Sequence, residues 1–181
     1  MNPTVNVPNV LTFIRLLLVP VFLMLVFSQS ADVHRLWAVT VFLAASLTDL
    51  YDGTLARRWG QTTAFGALAD PIADKALTGS AFIALSVLHQ VPWWATLVVL
   101  VREVGITVWR FAVIRGGVVP ASRGGKTKTT LQIAAIVALL LQPVGALHTL
   151  AMALLAAAVA VTVITGADYF IHAARVERVK V

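Results

Sequence analysis

Apolar residues run along this chain in long blocks separated by short polar stretches, the pattern of helices that face lipid and not the alternation of strands. Residues 10–27 form the first block, broken only by Arg15, with Pro8 and Asn9 marking its start and residues 28–32 its exit. Residues 36–48 are too few to cross a bilayer core, which takes about 20 helical residues, so a second span must continue through Asp49, Asp52 and Ala56. Residues 57–63 read as a short polar connection. A third span runs from Gly66 or Asp70 to Leu88, and Pro92 turns the chain into a fourth, 93–114, which contains Arg102, Glu103 and Arg110. The longest loop follows, 115–128, rich in glycine and basic residues. A fifth span covers 129–141, Pro143 and Gly145 turn the chain, and a sixth covers 147–171 ahead of a short charged tail.

Composition agrees with six spans. The sequence of 181 residues is 59% hydrophobic and 12% charged, with a mean hydropathy of +0.88. That excludes an ordinary soluble domain and describes one integral membrane domain, 1–181, all-α. Without cysteine there is neither a disulfide framework nor a thiolate metal site. The net charge of +6 does not indicate nucleic acid, because no basic stripe with interleaved aromatics accompanies it. Its distribution indicates orientation instead: Arg57, Arg58, Arg115, Arg123, Lys126, Lys128, Arg175, Arg178 and Lys180 flank one side, and only Arg35 the other. By the positive-inside rule both termini, the basic loop and the acidic stretch are expected on the cytoplasmic side, with Trp37, Trp93 and Trp94 at the outer interface. The first ten residues carry no Lys or Arg, unlike a signal peptide, and are expected to remain on the protein.

Asp49, Asp52, Asp70 and Asp74 are half of the chain's eight acidic residues and lie at membrane depth. Each would cost roughly 2.5–3.5 kcal/mol if left unpaired at the centre of a span, so they are expected to face a polar cavity and be neutralised there. On helices, Asp49, Asp52, Gly53, Ala56 and Arg57 share one face, and Gly66, Asp70 and Asp74 form a second narrow stripe. Carboxylates without His or Cys are an all-oxygen donor set, suited to Mg²⁺, Mn²⁺ or Ca²⁺ and not to zinc. Two helices carrying such groups can hold two ions about 3.5–4 Å apart, an arrangement that stabilises charge on a transferring phosphoryl group. Gly53 and Gly66 leave room at the same level, and Arg57 is suited to a bidentate phosphate contact. The competing structural reading has Asp70 capping a helix with Pro71 at its first position, and Gly53 and Gly66 as packing glycines.

The order Asp49-x-x-Asp52-Gly53-x-x-Ala56-Arg57, eight residues, then Gly66-x-x-x-Asp70-x-x-x-Asp74 resembles the full signature of the CDP-alcohol phosphatidyltransferases. The resemblance extends over nearly the whole chain. It implies six membrane helices around a polar active-site cavity on the cytoplasmic side of a bacterial plasma membrane, a homodimer, and two divalent ions, Mg²⁺ or Mn²⁺. Asp49, Asp52 and Asp70 would bind metal, and Asp74 would join them and act as general base. Gly53 and Arg57, with Ala56 and Gly66 of the same motif, would hold the CDP-lipid, with Thr63 near the nucleotide. Asn9, Thr12 and Arg15, at helical spacing, resemble residues beside the family's nucleotide site; their ordinary reading is a helix start and an arginine reaching the interface.

The same resemblance implies CDP-diacylglycerol as phosphatidyl donor. Arg102-Glu103, Arg110 and the run 125–129 resemble the branch whose acceptor is glycerol 3-phosphate. Arg110, Lys126 and Lys128 are suited to a phosphate dianion, though all three also read as ordinary cytoplasmic flanking charges. Arg102 and Glu103 also read as a structural pair within the bundle. Inositol phosphate is the alternative acceptor, cardiolipin formation a third, and a transporter with intramembrane carboxylates the rival from another class. The four histidines are scattered and form no ligand set.

Overall fold

The computed structural model describes residues 7–28, 31–59, 64–113, 124–142 and 144–178; at 7–9, 31–32, 49–59, 64–68, 70, 110–113, 124–126 and 170–178 it describes the helix backbone alone. Among these residues the chain forms six α-helices: α1 (Val7–Phe27), α2 (Ala31–Trp59), α3 (Ala64–Val87), α4 (Trp93–Val113), α5 (Gly124–Leu140) and α6 (Ala146–Arg178). α1 lies against both α2 and α3, α3 against α4, and α6 against α4 and α5; α2 and α3 also meet directly, and both reach α5.

Chain direction alternates. Val26 at the end of α1, Arg35 at the start of α2, Leu88 just past α3 and Gln142 just past α5 line one small cleft, so these termini share an end of the bundle. The turn that follows α3 closes in a Schellman arrangement, Gln90 N–H to Leu85 O at 2.8 Å and His89 N–H to Ser86 O at 3.1 Å, with His89 at φ 58°. α4 and α6 therefore leave this end, and the starts of α1, α3 and α5 gather with the ends of α2, α4 and α6 at the other.

α1 carries an apolar stripe outward and polar side chains inward. On α1, Val10, Phe13, Ile14, Leu17, Val21 and Met24 are exposed, whereas Thr12 and Arg15 are each 2% exposed. Such an apolar outer stripe at i, i+3, i+4, i+7 is what lipid, not water, favours. Residues Val10–Phe27 and Ala146–Tyr169 are long and apolar enough to cross a membrane. The interior of the cleft end is packed hydrocarbon: Phe22, Phe42, Phe82, Leu85, Val91 and Leu139 are buried, and the rings of Phe22 and Phe42 lie 5.7 Å apart.

Three expected boundaries shift. α5 begins at Gly124, so Lys126 and Lys128 stand on a helix and not in the loop; glycine's low helix propensity is overridden by the inward contacts of the turns that follow. α6 continues to Arg178 through residues 172–178, because Ala, Arg and Glu extend a helix after hydrophobicity has ended. α3 begins at Ala64, placing Pro71 within it, which removes the reading of Asp70 as a cap before a first-position proline.

Candidate active site

Asp49, Asp52, Gly53, Ala56 and Arg57 lie on the last turns of α2, and Gly66, Asp70 and Asp74 on the first turns of α3. Both segments belong to the end of the bundle opposite the cleft, and α1 packs on both helices. Pro71 cannot donate a backbone hydrogen bond one turn back, so α3 lacks one rung of its ladder beside the acidic stripe. Thr63 falls outside the described residues, as does the loop 114–123 with Arg115 and Arg123. Asn9 stands on the first turn of α1. Thr12 and Arg15 point inward from the same helix, both buried. The burial of Arg15 argues against an arginine merely reaching for the interface.

Asp74 is the motif carboxylate whose side chain is described. Its Oδ2 accepts a hydrogen bond from Lys75 Nζ at 2.7 Å, and its backbone carbonyl accepts from Thr78 Oγ1 at 2.9 Å. Lys75 Nζ also reaches Glu103 Oε2 of α4, 2.8 Å away. The other oxygen of Glu103, Oε1, accepts from Arg102 NH1 at 3.0 Å and from Lys128 Nζ of α5. Arg102 crosses to α6, donating from NH2 to Thr165 Oγ1 at 3.1 Å, its aliphatic stem lying over Gly166, where a Cβ would stand 3.1 Å from Arg102 Cγ. One turn further along α5, Gln132 Nε2 donates to Thr162 Oγ1 of α6 at 3.1 Å.

Five charged groups thus join α3, α4 and α5 in one network, three cations against two carboxylates. Glu103 is 5% exposed and Lys128 3%. A buried carboxylate without partners would carry an effective penalty of several kcal/mol, so the glutamate needs these cations. Arg102 and Glu103 do pair within the bundle, as the sequence led one to expect. Lys128, expected at a substrate phosphate, has its ammonium on Glu103. Arg110 stands on the last turn of α4 and Lys126 on the first turn of α5; both belong to the same end of the bundle as the acidic stripes.

Sequence reasoning missed Lys75. The signal was present: it follows Asp74 directly and is the single basic residue between Arg58 and Arg102. An ammonium inside an apolar span needs a carboxylate, and Glu103 is the first acid that follows Lys75 in the chain.

An acidic double stripe on two adjoining helices of an all-helical bundle with an exposed apolar surface fits the family that the sequence resembles, and comparison with known proteins agrees. The chain belongs to the CDP-alcohol phosphatidyltransferase family, whose model matches residues 5–164. Among its relatives, a protein of Mycobacterium tuberculosis named probable phosphatidylglycerophosphate synthase is 51% identical over 172 residues, covering 94% of this chain and 82% of that protein. The CDP-diacylglycerol--glycerol-3-phosphate 3-phosphatidyltransferase of Escherichia coli K12 is 39% identical over 144 residues, covering 76% of this chain and 78% of the other. Family membership removes the transporter reading.

Proposed function

We infer that this protein is a membrane enzyme that transfers the phosphatidyl group of CDP-diacylglycerol to glycerol 3-phosphate, forming phosphatidylglycerophosphate and CMP. The observation that carries the reading is the complete double acidic stripe on α2 and α3, in a chain related over most of its length to proteins named for this reaction.

The donor set of Asp49, Asp52, Asp70 and Asp74 is all carboxylate, on two helices that touch, which fits hard divalent ions such as Mg²⁺ or Mn²⁺. Bound there, two such ions would neutralise charge on the pyrophosphate of the CDP-lipid. Gly53, Ala56, Arg57 and Gly66 hold the nucleotide-lipid in this reading, with Thr63 at its nucleotide end and Asn9, Thr12 and Arg15 contributed from α1. The acceptor hydroxyl attacks the lipid-side phosphorus; the new O–P bond forms as the P–O bond to CMP breaks, and the hydroxyl proton passes to Asp74. Arg110, Lys126 and Lys128 supply positive charge for the acceptor phosphate, with Lys128 held in place by Glu103. We read the six helices as six spans with both ends of the chain in the cytoplasm, the acidic cavity opening there, in a homodimer of the bacterial plasma membrane. The exposed apolar stripe of α1 supports embedding in lipid, and the one-sided Lys/Arg distribution supports that orientation.

The test is direct. Purified protein is incubated with CDP-diacylglycerol and glycerol 3-phosphate, inositol phosphate or phosphatidylglycerol, with and without chelator, and CMP is followed. Release with glycerol 3-phosphate that stops on chelation is the expected result. Release with inositol phosphate alone overturns the acceptor assignment, and full turnover in excess chelator overturns the metal.

A further inference from the structure

The Lys75–Glu103–Lys128 arrangement joins the acidic stripe to the basic start of α5, and the reaction as written uses Glu103 only to hold Lys128, leaving its contact with Lys75 without a role. We propose that Glu103 is a positioning residue for the transfer: it fixes Lys75, which in turn fixes the carboxylate of Asp74. The proposal rests on the reading of Asp74 as the base.

The geometry has three parts. Lys75 Nζ stands between two carboxylates at nearly equal distances, 2.7 Å from Asp74 Oδ2 and 2.8 Å from Glu103 Oε2. Lysine's ammonium rides on a flexible four-carbon stem, so a single partner leaves it free to swing, whereas two partners on different helices define its place. Glu103 is itself immobilised: it is buried, and its second oxygen is occupied by Lys128 and Arg102, the latter anchored on Thr165 and wedged over Gly166. The chain of contacts therefore runs from α6 through α4 to Asp74 on α3. Buried ion pairs often contribute little net stability compared with apolar residues of like volume, so stability alone does not account for three cations around one glutamate. Position does, because misplacing a reacting group by about 1 Å can cost roughly a hundredfold in rate.

The test is a double-mutant cycle on Glu103→Gln and Lys75→Met, with Lys75→Arg as the conservative variant and Asp74→Asn beside them, each assayed for kcat, for the KM of CDP-diacylglycerol and for thermal unfolding in detergent. Expected are folded proteins in which Glu103→Gln and Lys75→Met each lower kcat about ten- to a hundredfold, the range for loss of a group that orients a reacting one, with the CDP-diacylglycerol KM within twofold. If Glu103 acts through Lys75, the double variant is no slower than Lys75→Met alone. Lys75→Arg, which still spans both carboxylates, stays within about threefold of wild type. Losses that multiply in the double variant, or that fall on KM with kcat unchanged, overturn the proposal. Should Glu103→Gln fail to fold, Lys75→Met against Lys75→Arg decides alone: a wild-type kcat in Lys75→Met overturns it. An inactive Asp74→Asn with both other variants at wild-type kcat overturns this proposal only, whereas wild-type turnover in Asp74→Asn removes the base reading beneath it.

Discussion

The two ends of this bundle are built from the same six helices and by opposite rules. At the cleft end, Phe22, Phe42, Phe82, Leu85 and Leu139 fill the interior, and the buried hydroxyls of Ser86 and Thr96 close on each other, 2.6 Å apart with Thr96 also bonded to the Phe82 carbonyl. At the opposite end the interior holds Thr12, Arg15, Glu103, Lys128 and Gln132, with Asp74 and Lys75 partly open beside them. The outer surface stays apolar along both. Packing stabilises one end; at the other, charge is concentrated where a hydrophobic core would serve stability as well or better. The difference separates a scaffold from a site, and it can be broken at either end.

The largest expected effect is at Asp74. Asp74→Asn keeps the size and polarity of the side chain but cannot take the acceptor proton, and kcat should fall about 10²–10⁴-fold, the usual contribution of general base catalysis. CDP-diacylglycerol binding, measured by displacement of a labelled CDP-lipid, should suffer much less. An equal loss of binding and rate would make Asp74 a ligand only.

Next come Arg110→Gln and Lys126→Gln. If Arg110 and Lys126 hold the acceptor phosphate as proposed, each change removes one charge-assisted hydrogen bond, roughly 1.5–3 kcal/mol, or about ten- to a hundredfold in kcat/KM for glycerol 3-phosphate. The KM for CDP-diacylglycerol should move little. Lys128 is the less clean probe, since its ammonium also neutralises Glu103, and removing it tests stability together with recognition.

The scaffold end predicts the reverse pattern. Phe42→Ala deletes a ring packed on Phe22 in a fully buried position and should destabilise by about 3–5 kcal/mol. The thermal unfolding midpoint should drop while kcat at a permissive temperature stays within twofold of wild type. A comparable loss of kcat would mean that the two ends are coupled and the division drawn above is false.

How far the sequence reveals this molecule follows the same division. The acidic stripes are legible because their spacing is local: i, i+3, i+4 on one helix and i, i+4, i+8 on the next place the residues on faces without knowledge of the fold. Helix number is legible because hydrophobic length is local too. The Lys75–Glu103–Lys128 network is not, since it joins residues 28 and 25 positions apart through the packing of three helices. Arg102 over Gly166 is hidden for the same reason. The left-handed residue ending α3 is a histidine, His89, where a glycine would have announced the turn. The misjudged start of α5 shows the converse: Gly124 and Gly125 signal a loop locally, and tertiary contact decides otherwise.

The smallest effect is expected from the charges that share the basic side of the chain but belong neither to the network nor to the proposed acceptor site. Arg175 lies near the end of α6, and Lys180 lies beyond the described residues; both are read as partners of anionic headgroups and not of substrate. Fields from exposed charges are screened beyond about 8 Å at physiological ionic strength, so Arg175→Gln and Lys180→Gln should leave the KM for glycerol 3-phosphate within twofold of wild type. They reduce the net charge by the same amount as Arg110→Gln or Lys126→Gln, and so isolate position from charge. Measured at low and at physiological salt, the tail variants should differ from wild type only at low salt, if at all, while the Arg110 and Lys126 variants should be impaired at both. If the tail variants and the Arg110 and Lys126 variants lose acceptor affinity equally and salt erases both losses, the basic end acts as an electrostatic field that gathers anions, and the acceptor phosphate has no site there.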